Sequence, residues 1–199
     1  MNEENVFRVI LIVVFLSAFV ISGTFRKKAR ESGEAISRKA EGGTALFVRM
    51  GAALIFFGSI VLYAIAPEAM NWASMELPNW LRWLSAGIAL GCIPLLWWVF
   101  SSIGNNISET VLTKKDHQLV TSGPYRWVRH PLYAVALLMF FSLGLMTASW
   151  LIMLYALAGA VIFRLGIIPK EEEKLIQAFG EDYQGYRKRT GAIVPRLSS

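Results

Sequence analysis

Long apolar blocks alternate with polar stretches along the chain of 199 residues. A helix that crosses a bilayer needs about 20 consecutive, mostly apolar residues, and five blocks approach or reach that length. The first block is too long for the apolar core of a secretory signal, and the acidic Glu3 and Glu4 precede it, so we expect a retained span. The pattern predicts an all-α integral membrane protein with five transmembrane helices. They are residues 6–25, 45–66, 80–100, 131–147 and 149–166.

The distribution of charge predicts the orientation of these helices. Of the 20 Lys and Arg residues, all but Arg8 and Arg82 lie in or beside the first loop, the connection 101–130 and the tail after the last span. With five spans these three regions share one side, and basic loops are typical of the cytosolic side. We therefore expect the N-terminus outside and the C-terminus in the cytosol. Charge is almost absent from the predicted spans, so no ion path is indicated.

Composition narrows the classes of function. Only 17% of residues are charged and 55% are hydrophobic, whereas a soluble domain carries about 25% charged residues. The net charge of +6 accompanies the basic loops, and we expect membrane lipids as partners and no nucleic acid. Cys92 is the single cysteine, which excludes an internal disulfide and a cysteine-based zinc site. With two histidines in the chain, we expect no metal site.

Candidate functional residues are most concentrated in the stretch 123–133. It is basic and aromatic, and it lies where an apolar block meets a polar one. Proline suits the first position of a helix, so Arg129-His130-Pro131 predicts a helix start. Free backbone N–H groups at such a start favour an anionic ligand. The acidic tail lies on the same predicted face. We therefore divide the chain into an N-terminal part with three transmembrane helices, 1–100, and a catalytic region, 101–199, which contains a cytosolic loop, a helical hairpin and a C-terminal cytosolic helix.

The residue types on this face suit a ligand with both charges and rings. His130 and the neighbouring arginines can hold a carboxylate, and the aromatic rings offer flat surfaces to a ring or a cation. Glu171 and Glu172 can receive an ammonium group or a ribose hydroxyl. S-adenosylmethionine would use all of these features, but a nicotinamide dinucleotide would also suit a basic and aromatic pocket.

The motif Gly123-Pro124-Tyr125, followed by Arg129-His130-Pro131-Leu132-Tyr133 and then by Glu171-Glu172, resembles the isoprenylcysteine carboxyl methyltransferase family. The later runs Phe179-Gly180-Glu181-Asp182-Tyr183 and Tyr186-Arg187-Lys188-Arg189 are similar to that family's C-terminal pattern. The resemblance covers about residues 100–196. It implies a membrane methyltransferase that uses S-adenosylmethionine and acts on the carboxylate of a prenylcysteine-like lipophilic substrate.

The resemblance also implies roles for single residues. The family arginine that contacts the substrate carboxylate is replaced here by Ile167, and we expect Arg164, one turn earlier, to orient that carboxylate as the catalytic residue. A carboxylate is already ionised at neutral pH, so no general base is expected. The expected cofactor-binding residues are His117, Gln118, Leu119, Val120, Tyr125, His130, Pro131, Leu132, Tyr133, Glu171 and Glu172.

Three other functions stay open from the sequence. Phospholipid N-methyltransferases carry a related motif, and a lipid amine would need Glu171 or Glu172 as a base. A membrane reductase that uses NADPH would also have a basic opening to its cofactor site. A non-enzymatic transporter subunit or assembly factor would bind no cofactor. The basic run Arg187-Lys188-Arg189 is most simply a lipid-surface anchor.

Overall fold

The computed structural model of the protein describes residues 2–31, 43–103 and 119–196. Within these ranges the chain is helical, with two isolated β-bridges and no β-strand, which confirms the predicted all-α class. Short 3-10 turns cover Pro67–Ala73 and Gly123–Arg126. The helices are α1 (Glu3–Glu31), α2 (Gly43–Ile65), α3 (Asn79–Ile103), α4 (Pro131–Met146), α5 (Trp150–Ile162) and α6 (Ile168–Arg189), with a π-helical turn at Phe163–Ile167 between the last two.

Three helices in the described ranges are long and apolar enough to cross a bilayer: Glu3–Lys28, Asn79–Ile103 and the continuous helix Trp150–Arg189. The apolar helices Leu54–Ile65 and Pro131–Met146 are shorter. Each predicted block therefore coincides with a helix, but the number of five crossings stays a prediction.

The chain forms two compact units, and α1, α3, α4 and α5 contribute residues to both. The predicted division into 1–100 and 101–199 concerns function and stays a prediction. The first unit takes its described residues from Met1–Ser17, Ser37–Cys92 and Leu137–Gly159, and the second from Ala18–Ile36, Ile93–Ala136 and Ala160–Ser199.

In the first unit a buried arginine of α3 joins several segments. Arg82 donates from Nη1 and Nη2 to the two carboxylate oxygens of Glu4, at 2.6 and 2.9 Å, and from Nε to the Met146 carbonyl at 3.0 Å. Its guanidinium carbon lies 4.3 Å from the centroid of the Phe7 ring, and the Tyr63 hydroxyl lies 3.4 Å from Glu4 Oε2. Few charges lie in the predicted spans, as expected. Among the residues of this unit that the structure describes, Arg82 is the one buried cation, and it is paired with a carboxylate.

The predicted helical hairpin is also formed in this unit. Helix α4 ends at Met146, and α5 begins at Trp150. At Gly144 a Cβ atom would lie 2.8 Å from the backbone of Met153, so glycine permits the close approach of the two helices. In the turn, Ala148 has φ 47°, and its carbonyl accepts a hydrogen bond from the Met75 N–H at 2.7 Å.

In the second unit, aromatic contacts support the basic stretch before α4. Phe25 of α1 stacks on Phe100 of α3 with ring centroids 5.6 Å apart. Two residues earlier in α3, Trp98 meets Trp127 edge to face at 5.5 Å. Gly123 begins the 3-10 turn with φ 60°, a conformation that favours glycine. The Trp98–Trp127 contact and the closeness of Gly123 to Ser102 place residues 123–127 beside the end of α3.

The C-terminal helix is interrupted at Gly180. Gly180 has φ 54° and ψ −125°, outside the helical region, so α6 consists of two helical halves. Ten charged residues lie in Ile168–Arg189, and this polar composition distinguishes α6 from the apolar helix α5 that precedes it.

Candidate active site

The motif residues meet at the first turns of two helices in the second unit. His130 directly precedes Pro131, the first residue of α4, and Pro169 is in the first turn of α6. Proline starts both helices without the loss of an intrahelical hydrogen bond. These starts bring His130 and Tyr133 beside Glu171 and Glu172, as the resemblance implies.

Glu171 links the two helix starts. Its Oε1 accepts a hydrogen bond from the Tyr133 hydroxyl at 2.6 Å, and its Oε2 lies 3.3 Å from His130 Nδ1. The His130 side chain is 6% exposed, whereas that of Glu171 is 25% exposed. A carboxylate that is held by two partners and still reaches the surface can accept a further donor from a ligand.

The site contains an aromatic residue that the sequence did not indicate. The ring of Phe163, the first residue of the π-helical turn, stacks on Tyr133 with centroids 4.4 Å apart and planes at 23°. Tyr133 in turn stacks on His130 at 5.7 Å and 18°. Phe163 stands in an apolar block, where nothing distinguishes it from the aromatic residues around it. The one structural signal is the π-turn, since such turns are frequent at functional sites.

Glu172 is engaged by arginines rather than open to solvent. Its Oε1 accepts from Arg129 Nε at 2.9 Å and from Arg129 Nη2 at 2.6 Å, and its Oε2 lies 3.1 Å from Arg187 Nε. The side chain of Glu172 is 8% exposed. Its direct contact with a cofactor stays a prediction, while its contacts here hold the site together. Arg187, predicted as part of a lipid anchor, belongs to this ion cluster.

Two backbone donors at the start of α4 already have partners. The N–H groups of Arg129 and His130 donate to the carbonyls of Gly191 and Ala192, at 2.8 and 2.9 Å. These two N–H groups are therefore not free to bind an anion. The cause is the tail, which the sequence pattern did not place beside this stretch.

The remaining predicted residues surround this core or lie elsewhere. Tyr125 is buried, and its carbonyl accepts a hydrogen bond from the Tyr186 hydroxyl at 2.6 Å. Pro131 is buried, whereas Leu119, Val120 and Leu132 are half-buried. His117 and Gln118 lie outside the described residues.

Arg164 is exposed on the π-helical turn, and its role toward a substrate stays a prediction. Within residues 2–31, 43–103 and 119–196, no group of three His, Cys, Asp or Glu side chains is arranged to hold a metal ion.

Glu172 and His130 stabilise each other's charged forms. Burial alone would lower the pKa of His130, but Glu171 and Glu172 raise that pKa above its ordinary value of 6.5. Burial alone would raise the pKa of Glu172, but His130 and Arg129 lower that pKa to about 2, from an ordinary 4.5. The pair therefore favours an imidazolium beside a carboxylate.

We expect the folded protein to lose stability as pH rises above neutrality. Because the pKa of His130 is raised by folding, its contribution is complete below 6.5 and is lost as pH rises through the raised pKa. Glu172 acts in the opposite direction, since its contribution is complete above 4.5 and is lost as pH falls toward 2. Thermal unfolding in detergent should show a melting temperature that falls between about pH 6 and pH 9. The decline should be weaker in His130→Gln, and an equal decline in both proteins would contradict the pairing.

The chain is similar to known proteins of several kinds. The chain is 38% identical over 113 residues to the cobalt-zinc-cadmium resistance protein CzcN of Cupriavidus metallidurans, covering 56% of this chain and 47% of that protein. It is 45% identical over 73 residues to methanethiol S-methyltransferase 2 of Bradyrhizobium diazoefficiens, covering 37% and 27%. It is 33% identical over 135 residues to the protein-S-isoprenylcysteine O-methyltransferase of Rattus norvegicus, covering 64% and 46%. The chain thus spans about half the length of these relatives, or less.

The fold is also shared with a solved structure, that of the eukaryotic intramembrane Ras methyltransferase ICMT. The two agree with a TM-score of 0.53 over 79% of this chain and 55% of that one, at 23% sequence identity. Together with the apolar helices, this shared fold makes the protein an integral, multi-pass membrane protein. The profile of the isoprenylcysteine carboxyl methyltransferase family matches residues 85–177, the part that contains both helix starts of the site. Over these residues, slightly less than half of its length, the chain is similar to the isoprenylcysteine carboxyl methyltransferase family.

Proposed function

We propose that the protein is an S-adenosylmethionine-dependent methyltransferase that methylates the carboxylate of a prenylcysteine-like lipophilic substrate at the membrane. The observation that carries this proposal is the meeting of His130, Tyr133 and Glu171 at two helix starts. Tyr133 and Glu171 are 38 positions apart in sequence and are joined by a hydrogen bond. All three residues lie inside the family match, and the relative from Rattus norvegicus is named for this reaction.

The described residues fit S-adenosylmethionine. Glu171 presents a partly exposed carboxylate to an ammonium group or a ribose hydroxyl. Nε2 of His130 is buried and lies 3.5 Å from Glu172 Oε1, so the His130 ring is held between the two carboxylates. Tyr133 is stacked on both Phe163 and His130, so the face of Phe163 that is turned away from Tyr133 is the surface that can attract a cation such as a sulfonium. When bound, S-adenosylmethionine would supply a methyl group activated by its positively charged sulfur. Further contacts would come from Tyr125, Pro131, Leu132, Glu172 and the segment 117–120.

The chain's own task in this reaction is to position and desolvate the acceptor. A carboxylate is ionised at neutral pH, so no side chain has to remove a proton from it. A productive complex needs reacting atoms about 3–3.5 Å apart, and a cation beside the carboxylate can orient it for this. Arg164 is our candidate for this role, because it is exposed on the π-helical turn that also carries Phe163. A lipophilic acceptor would reach it from the bilayer.

We further propose five membrane crossings, with the N-terminus outside and the C-terminus and active site facing the cytosol. The support is the concentration of basic residues in the first loop, the connection 101–130 and the tail. The candidate site residues all lie in the region 101–199, which we assign as catalytic.

Calorimetric titration with S-adenosylhomocysteine tests the proposed cofactor. We expect detergent-purified wild type to bind it, and His130→Ala and Glu171→Ala to lose at least about tenfold in affinity, equivalent to about 1.4 kcal/mol. The matched control is Glu173→Ala, because Glu173 is the exposed neighbour of the two carboxylates. A folded wild type that binds NADPH and not S-adenosylhomocysteine would refute the methyltransferase and support a reductase. Binding of neither ligand would support a non-enzymatic role.

A thiol acceptor is the second candidate. Arg129 and Arg187 are both engaged by Glu172, and Ile167 stands where a carboxylate-binding arginine is expected. Because these arginines already bind Glu172, they are not available to bind a substrate carboxylate, and an acceptor without a carboxylate fits the site better. One relative is named a methanethiol S-methyltransferase. Transfer of labelled methyl to N-acetyl-S-farnesylcysteine, to a short alkanethiol and to phosphatidylethanolamine separates the classes. Methylation of the first acceptor alone supports the carboxylate, of the second the thiol, and of the third a phospholipid amine.

A further inference from the structure

The C-terminal segment that follows α6 lies along the stretch before α4. Val128 and Gly191 form an isolated parallel bridge. The N–H groups of Arg129 and His130 donate to the carbonyls of Gly191 and Ala192, at 2.8 and 2.9 Å. The backbone of His130 is thus held by the tail, while its ring is held by Glu171. The family match ends at residue 177, so this segment lies beyond it.

Arg129 reinforces the pairing with its side chain. Nε and Nη2 donate to Glu172 Oε1 at 2.9 and 2.6 Å, and Nη1 donates to the Arg187 carbonyl at 3.2 Å and to the Thr190 carbonyl. The side chain is 9% exposed. A planar guanidinium can make these bonds in several directions at once, which a lysine ammonium cannot reproduce.

These contacts require α6 to turn back on itself. Glu172 and Arg187 are 15 positions apart, which in a straight helix would separate them by about 22 Å along the axis. Glu172 Oε2 nevertheless lies 3.1 Å from Arg187 Nε, and Arg129 donates both to Glu172 Oε1 and to the backbone carbonyl of Arg187. The break at Gly180 permits this, and it returns the tail to the start of α4.

We propose that residues 190–192 form one edge of the cofactor site and that Arg129 is the positioning residue that keeps them there. The inference rests on the proposed function. Displacement of the tail would release the backbone of His130 and the arginine that holds Glu172. Glu171 is adjacent to Glu172 in the same helical turn, so both groups that meet the cofactor would move.

Gly191→Ala tests the proposal without removing any side chain of the site. A Cβ atom at Gly191 would lie 1.8 Å from the carbonyl oxygen of Val194, so the segment must shift. We expect the Kd for S-adenosylhomocysteine and the KM for S-adenosylmethionine to rise about ten- to a hundredfold, the cost of misplacing groups by about 1 Å. The kcat at saturating cofactor should change less. The control is Gly185→Ala, because a Cβ atom there has nothing within 4 Å.

The outcomes separate this inference from the function on which it rests. If wild type does not bind S-adenosylhomocysteine, the proposed function fails. If wild type binds it and Gly191→Ala binds within about twofold of wild type, the function stands and the role of the tail is overturned. Should Gly191→Ala fail to fold, Arg129→Lys gives the same comparison, because it keeps the positive charge beside Glu172 and loses the bonds to the tail carbonyls. Unchanged cofactor affinity in Arg129→Lys then overturns the proposal.

Discussion

Glu172→Ala is expected to lower the free energy of unfolding by about 3–5 kcal/mol and to abolish binding of S-adenosylhomocysteine. The substitution leaves the buried guanidinium of Arg129 without its carboxylate, and breaking a buried ion pair costs that much. Arg187 loses its partner too, although its side chain is half exposed and can be solvated. Titration of the protein in detergent micelles with SDS measures the stability, and calorimetry measures the binding.

The neighbouring carboxylate provides the control for this effect. Glu173 is exposed one position along the same helical turn, so Glu173→Ala should change stability by less than about 0.5 kcal/mol. The double variant Arg129→Met with Glu172→Leu removes both charges and should regain part of the lost stability without regaining cofactor affinity. A loss below about 1 kcal/mol in Glu172→Ala would contradict the buried pair.

Local sequence patterns were sufficient for the helices and for the core of the site. Apolar blocks of about 20 residues predict α1 to α5, since the bilayer fixes their length and composition. Prolines at residues 131 and 169 indicate two helix starts, and the motif resemblance pairs those starts. The meeting of His130 with Glu171 follows from these features.

Contacts between distant residues could not be predicted in this way. Glu171 and Glu172 look equivalent in sequence, but successive residues of a helix point in different directions, and only Glu172 faces the arginines. The return of the tail depends on the single break at Gly180. Arg129 joins residues 43 and 61 positions away, a pairing that no local pattern encodes.

The partner of Arg82 could not be predicted from the sequence either, because the charge pattern shows only that Arg82 lies outside the three basic regions. Its partner is 78 positions away in α1. Because the apolar surroundings make an unpaired charge costly, the pairing of Arg82 with Glu4 should contribute strongly to the first unit.

Glu4→Ala is accordingly expected to cost about 3 kcal/mol, since it leaves a buried arginine among apolar helices without its carboxylate. Arg82→Met should cost less, because the Arg82 side chain is 11% exposed and that of Glu4 is 47% exposed, so water can solvate the carboxylate that remains. Glu3→Ala is the matched control: Glu3 accepts only exposed hydrogen bonds, from Asn79 and Trp83, and its loss should cost less than about 1 kcal/mol. SDS titration of the three variants measures how much each lowers the free energy of unfolding. Equal losses of stability in Glu3→Ala and Glu4→Ala would show that burial of Arg82 does not determine the effect.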